Sequence, residues 1–295
     1  MKFTKEQFVS LKEAYAQGQN LTQIIANWGI AIDFEVISFV YELQAGTYTL
    51  AAKLDSTILN SFTKEISSVM RKYLSNDAVI LDCGTGESNT FIPILQQLNL
   101  REGIGIDSST SRLTWAKQNA VESGITLKLA VADLGSLPLL DNSVDAVLTV
   151  HALEPNGGRE YELITELGRV TKRFLFLTEP DFENATPEQQ SRMDRLHYIR
   201  NLDQAIKHCD FEIVEKIPVR NNANTLNSAS IIVVDTHKNI EATSDAFSWA
   251  DPIFGLPLNH YEDGLINSIG LWYPSLREIR LLRESDTQYL LAPSN

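Results

Sequence analysis

Cysteine is nearly missing from this chain: two occur in 295 residues, Cys83 in a glycine turn and Cys209 near a predicted helix end. Two thiols so differently placed exclude a disulfide framework and fit a reducing, cytoplasmic setting. Long apolar runs are also missing. No stretch approaches the roughly 20 residues of a membrane-spanning helix, and Met1-Lys2-Phe3-Thr4 opens no signal peptide, so no membrane association is expected. Basic residues are few, 25 Lys and Arg against 38 Asp and Glu, which gives a formal net charge of −13. Such a field repels phosphate backbones, and no dense Lys/Arg run offsets it, which argues against a nucleic-acid partner. Internal repeats and low-complexity tracts are not apparent. What is present, 43% hydrophobic and 21% charged residues, describes a globular chain with ample core, long enough for one enzyme domain with additions.

The informative stretch is Val79-Ile80-Leu81-Asp82-Cys83-Gly84-Thr85-Gly86-Glu87-Ser88. Val79 to Leu81 lacks the in/out alternation of a half-exposed strand, so it predicts a buried parallel one. The run ends in an acid, passes two glycines and enters a predicted helix from Asn89 to Leu98. Gly84 and Gly86 permit a sharp turn and close approach of a ligand, and the helix start behind them presents unpaired N–H groups. A turn used only for tight packing has the same residues. Two more strands follow. Gly103-Ile104-Gly105-Ile106-Asp107 ends in an acid about 20 residues past the glycines, the spacing at which a carboxylate accepts ribose hydroxyls. Leu127 to Ala132 leads into Asp133-Leu134, placed to meet an adenine amino group and cover its ring. Either acid alone reads equally well as a loop or helix cap. Glycine turn, acid and acid at three successive strand ends point to a nucleotide-type ligand.

Asp82-Cys83-Gly84-Thr85-Gly86, Asp107, Asp133-Leu134 and the strand and turn from Asp145 to Leu153 resemble class I S-adenosylmethionine-dependent methyltransferases, over about residues 76–236. The resemblance implies an α/β, Rossmann-like fold with a seven-stranded, mostly parallel sheet, an N-terminal helical cap and a small C-terminal β-rich tail. It also implies S-adenosylmethionine as cofactor, S-adenosylhomocysteine as product and no metal. Asp82, Gly84, Thr85, Gly86, Asp107, Ser108, Asp133 and Leu134 would bind the cofactor, with Asp82 near its methionine end. Ser88 stands at the third small position of the family's loop, a departure that leaves less room at the helix start. The turn after the Val144–Val150 strand lacks the Asn/Asp-Pro-Pro-Tyr/Phe motif of methyltransferases acting on exocyclic base amines.

That turn, His151-Ala152-Leu153-Glu154, faces the transferred methyl in such an architecture. His151 is a candidate general base or a residue that only lines the cofactor. Glu154 would touch the substrate or the methionine ammonium, or cap the helix predicted from Arg159 to Thr171. After a fifth strand, Phe174 to Thr178, come Glu179, a helix from Pro187 to about His197 that holds Arg192, then Tyr198 and another helix to Cys209. The superfamily builds its acceptor pocket there, so Glu179, Arg192 and Tyr198 are candidate substrate contacts; surface ion pairing accounts equally for Glu179 and Arg192. Phe211 to Val219 and Ser228 to Thr236 read as a hairpin joined by an Asn-rich loop, Asn221 to Asn227.

Residues 1–75 read as helical: Thr4 to Ala16 ended by Gly18, Leu21 to Trp28 capped by Asn20, Asp33 to Leu43, and one long helix from Leu50 to Leu74. The resemblance makes this segment a cap over the cofactor, with Tyr48 its contact; packing between helices is the other reading of Tyr48. The tail, residues 240–295, resembles a Trm112-type zinc ribbon. Its ligand positions hold Asp251, Phe254, Asn267 and Gly270, so no zinc site is expected, and Leu271, Trp272 and Tyr273 would hold it instead. An unrelated β-hairpin tail remains the alternative. The expected organisation is therefore a cap (1–75), a cofactor domain (76–239) and the tail (240–295). The expected activity is methylation of a small-molecule acceptor, with a homodimer as the candidate assembly; a protein- or RNA-modifying enzyme and a non-catalytic partner protein are the alternatives.

Overall fold

A computed structural model describes residues 3–32, 34–222, 226–237 and 247–290. The predicted helix start at Asp33, the middle of the Asn-rich loop (223–225) and the boundary at 239/240 lie outside the described residues.

Five helices come first: α1 (Lys5–Ala16), α2 (Leu21–Asn27), α3 (Phe34–Leu43), α4 (Thr47–Leu54) and α5 (Thr57–Met70). Thr4 and Gln7 close a reciprocal capping box on α1, and Asn20 caps α2 through the Gln23 N–H. The single helix expected from Leu50 to Leu74 is two. Asp55 adopts an extended backbone, and its carboxylate accepts the N–H of Thr57 at 2.8 Å. A local side-chain acceptor thus starts a new helix where the old one would have continued. Helices α1 to α3 share a small core around Leu11, Leu21, Ile25 and Val36. By contrast α5 packs on the main sheet through Phe62, Ile66, Val69 and Met70.

From residue 80 strands and helices alternate: β1 (Ile80–Cys83), α6 (Phe91–Gln97), β2 (Glu102–Asp107), α7 (Thr110–Ser123), β3 (Thr126–Val131), β4 (Val144–Val150), α8 (Glu160–Val170) and β5 (Thr171–Pro180). Helices α9 (Pro187–Arg195) and α10 (Leu202–His208) precede the hairpin β6 (Glu212–Pro218) and β7 (Ala229–Asp235). These seven strands lie in the order β6-β7-β5-β4-β1-β2-β3, with β7 alone antiparallel to its neighbours. This is the Rossmann-like arrangement expected. β5 runs past its predicted end and carries Glu179 inside the sheet, paired with Ser230. Because β2 and β3 build outward from one side of β1 and β4 returns to the other, the chain reverses direction at β1/β4. A crevice opens there at the carboxyl ends of the strands.

The tail holds β8 (Asn259–Tyr261), β9 (Gly264–Ile266), β10 (Leu271–Leu276), β11 (Ile279–Leu281) and β12 (Gln288–Tyr289). It continues the central sheet: β11 pairs in parallel with β3, and β10, β9 and β8 extend outward from it. Tyr273 and Leu271 are fully buried, while Trp272 is half-buried. Two of the positions compared with zinc ligands meet directly. Asp251 accepts the N–H groups of Ile253, Phe254 and Leu256, and Asn267 donates its amide to Asp251 at 3.1 Å. Phe254 points largely to solvent, and Gly270 has φ 89°.

Candidate active site

The glycine turn is pinned on three sides. The Gly84 and Thr85 N–H groups donate to the Ile106 carbonyl at 2.8 and 3.0 Å, tying the loop to the end of β2. Gly84 has φ 77°, and a Cβ there would lie 2.3 Å from Cβ of Ala152 in the turn after β4. Only glycine permits that approach. Gly86 N–H donates to Asp107 Oδ2 at 2.9 Å and Ser109 N–H to Oδ1 at 2.8 Å, which fixes the carboxylate at the tip of β2. Ser88 is buried and takes φ 55°, left-handed backbone at the position where the family has glycine, and its hydroxyl meets that of Thr85 at 2.8 Å.

Two contiguous cavities open from this turn. One of about 110 Å³ is lined by Gly84, Asp107, Ser108, Asp133, Leu134 and His151, together with Ile37 and Tyr41 of α3. The other, about 500 Å³, is lined by Thr85 and Gly86 of the turn, by Tyr48, Ile58 and Phe62, and by His151 and Glu154. Tyr41, Gly84, Arg112 and His151 border both. Beneath lies a concentration of buried acid. Burial lifts the Asp82 carboxyl to about 8 against a hydrogen bond from Thr85, and Asp107 is also raised, chiefly by burial. Glu179 is fully buried and pushed up to about 7. Its Oε1 accepts the N–H groups of Ala152 and Leu153, whereas Oε2 has no partner among the described residues.

His151 and Glu154 form a pair. His151 Nδ1 lies 2.9 Å from Glu154 Oε2, and the Asn227 amide donates to the same oxygen at 2.9 Å. Burial acts to discharge His151, but the bond and charge of Glu154 outweigh it and the imidazole pKa ends above its ordinary value. Glu154 ends below its own: burial would raise it, and hydrogen bonds from His151, Tyr198 and Asn227 prevail. Arg192 extends the network, its Nη2 donating to the Tyr198 hydroxyl at 3.3 Å. The Phe62 ring stacks on His151 with centroids 6.3 Å apart. His151 itself sits at φ 52°, held by its N–H donating to the Thr178 carbonyl.

Of the site residues singled out from the sequence, Tyr48, Gly84, Thr85, Gly86, Asp107, Ser108, Asp133, Leu134, His151 and Glu154 line the two cavities, whereas Asp82, Glu179, Arg192 and Tyr198 line neither. Asp133 lines the smaller cavity while paired with Arg159 at 3.1 Å and capping Gly135. Tyr48 rims the larger cavity and is 56% exposed. Sequence reasoning missed Tyr41, Arg112, Glu87 and Asn227. Tyr41 lies on an apolar face of α3 and reads as core; Arg112 reads as an ordinary helix-surface cation. Glu87 links loop and cap: its Oε1 accepts Gly46 N–H at 2.9 Å and its Oε2 accepts Thr49 N–H at 2.7 Å, so it caps α4. An acid inside the glycine turn was the one available signal.

Residues 80–173 match the family model for a methyltransferase domain. No curated protein matches the chain in sequence. Among solved structures, a SAM-dependent methyltransferase from Aquifex aeolicus superposes with a TM-score of 0.50 at 15% identity, over 64% of this chain and 97% of that one. Magnesium protoporphyrin IX methyltransferase from Synechocystis PCC 6803, with bound SAH, gives 0.47 at 18% identity over 60% and 82%. A complex containing the Haloferax volcanii Trm112 methyltransferase activator gives 0.49 at 14% over 59% and 88%. At these identities the likeness is one of fold. Residues 80–173 thus match a methyltransferase-domain model, and the chain shares its fold with the SAM-dependent methyltransferase from Aquifex aeolicus.

Proposed function

We propose that this chain transfers the methyl group of S-adenosylmethionine to a small-molecule acceptor held in the 500 Å³ cavity. The observation that carries the reading is the set of buried carboxylates at the strand tips. Asp82, Asp107 and Glu179 are each at least nine-tenths buried, and none makes a salt bridge among the described residues. Buried acids without a salt-bridge partner suit a ligand that brings its own cations, as a sulfonium with an ammonium does. When bound, the cofactor supplies a methyl group activated by the positive sulfur. Asp107 and Ser108 would hold the ribose, Asp133 and Leu134 the adenine, and Asp82 with Gly84, Thr85 and Gly86 the methionine end.

The acceptor chamber favours a compact molecule of mixed character. Ala51, Ala52, Ile58, Leu59 and Phe62 give the chamber an apolar lining beside the polar groups of His151 and Glu154. His151 Nε2 would take a proton from an acceptor hydroxyl, while Glu154 fixes the ring through Nδ1. Tyr198 and Arg192 brace Glu154, and Glu179 holds the turn that carries His151. Helices α3 to α5 and the loop at Asn221 and Asn222 border the chamber, and in this reading they align the acceptor and limit the access of water. The tail, in this reading, is a ribbon without metal in which the Asp251–Asn267 hydrogen bond joins the two turns an ion would join. Calorimetry with S-adenosylhomocysteine tests the core claim: wild type binds, and Asp107→Ala binds at least tenfold more weakly. Equal affinities would remove the ribose assignment.

A further inference from the structure

Arg112, the third residue of α7, is built into the crevice in a way that packing alone does not account for. Its guanidinium carbon lies 4.4 Å from the centre of the Tyr41 ring and 5.0 Å from that of Tyr48. These two cation–π contacts serve to hold the cap down. The edge of the guanidinium is another matter. Nε and Nη2 are both buried, and neither has a hydrogen-bond partner among the described residues. These two N–H groups lie side by side and form the fork that matches both oxygens of a carboxylate. A guanidinium cannot relieve the burial by losing its proton, so two charged donors stand idle where idleness is expensive. Asp107 is close enough to feel the charge. Yet its oxygens are engaged by the Gly86 and Ser109 N–H groups, and it does not answer the fork. Arg112 also borders both cavities.

We propose that the Nε/Nη2 edge of Arg112 is an oxyanion subsite that receives a carboxylate of the bound ligand, with Tyr41 and Tyr48 fixing the plane of the fork. In a chain of net charge −13 with acids beneath the crevice, it is the cation positioned to accept one. The inference rests on the methyl-transfer reading for the source of that carboxylate, which is either the amino-acid end of the cofactor or an acid group on the acceptor.

Calorimetry on wild type, Arg112→Gln and Arg112→Lys separates the cases. The probes are S-adenosylhomocysteine, 5′-methylthioadenosine, which keeps the nucleoside and lacks the amino acid, and 3-phenylpropionate added to protein loaded with S-adenosylhomocysteine. If the cofactor supplies the carboxylate, Arg112→Gln weakens S-adenosylhomocysteine about 10- to 100-fold and leaves 5′-methylthioadenosine unchanged. If the acceptor supplies it, both nucleosides bind as before and 3-phenylpropionate binding, present in wild type, is lost. In either case Arg112→Lys, which keeps the charge without the fork, recovers only part. Equal weakening of both nucleosides would assign Arg112 to cap closure alone and overturn the proposal, as would unchanged binding of all three probes. Thermal melts of the variants exclude simple unfolding. A wild type that binds neither nucleoside removes the methyl-transfer reading, and the subsite is then judged on the acid alone.

Discussion

At the scale of single residues, the crevice is governed by protons that burial has displaced. His151 needs to be neutral to accept a proton, and Glu154 holds its pKa above the ordinary 6.5. The rate of a base-dependent transfer should therefore rise with pH through a midpoint above 6.5. Glu154→Gln should move that midpoint down, measurable as the NMR titration of the His151 ring. His151→Asn is expected to cut kcat about 10²- to 10⁴-fold with S-adenosylhomocysteine affinity kept within a few-fold. Loss of affinity without loss of kcat would leave His151 a mere wall. Asp82 behaves oppositely to a paired surface acid. Folded, it holds its proton to about pH 8, against an ordinary 3.8. The folded state therefore binds the extra proton, and this contribution to stability is complete below pH 4 and lost as pH climbs to 8. Asp82→Asn should melt about 2–4 °C above wild type at pH 8, with the gain vanishing near pH 4 and cofactor binding weakened. Scanning calorimetry at several pH values checks the sign.

Among elements, the docking of the cap is the contact on which the chamber depends. Glu87 caps α4 from within the glycine turn, and Asn119 of α7 donates to both Thr49 Oγ1 and the Glu87 carbonyl. Gly46, at φ 97°, leads into α4 under Trp115, whose ring would lie 2.7 Å from any Cβ added there. Gly46→Ala is expected to strain the backbone and push the cap off, raising the rate of limited proteolysis within residues 34–56 at least several-fold. Glu87→Gln, which keeps one acceptor oxygen of two, should do so more mildly. In the tail, Asp251→Ala strips three backbone N–H groups of their acceptor and should cost about 1–3 kcal/mol. A chelator should leave the wild-type melt unchanged, and a fall in Tm with chelator would show that metal holds these turns.

For the whole molecule, the tail strands lengthen the sheet and cover what would otherwise be the free edge of β3. A chain cut at 239 is expected to expose that edge and self-associate, seen by light scattering. The sheet, the glycine turn, the acids Asp82 of β1 and Asp107 of β2, and Asp133 just past β3 were legible from the sequence. Apolar runs without alternation, acids at their ends and glycines between them are each dictated within a few residues of chain. Thr4, Asn20 and Pro187 likewise announced their helices, since caps act over a single turn. The break at Asp55 is just as local, yet a helical pattern on both sides concealed it. What only the tertiary structure decided is which distant groups meet: Tyr41 against Arg112, Glu87 reaching Gly46 and Thr49, Asn227 on Glu154, and the unsatisfied edge of Arg112. Sequence spacing specifies neighbours along a strand or helix, whereas contacts across 38 to 73 residues depend on how elements pack. Burial then decides the charge state of each acid, because a carboxyl's pKa answers to the medium around it and not to its place in the chain.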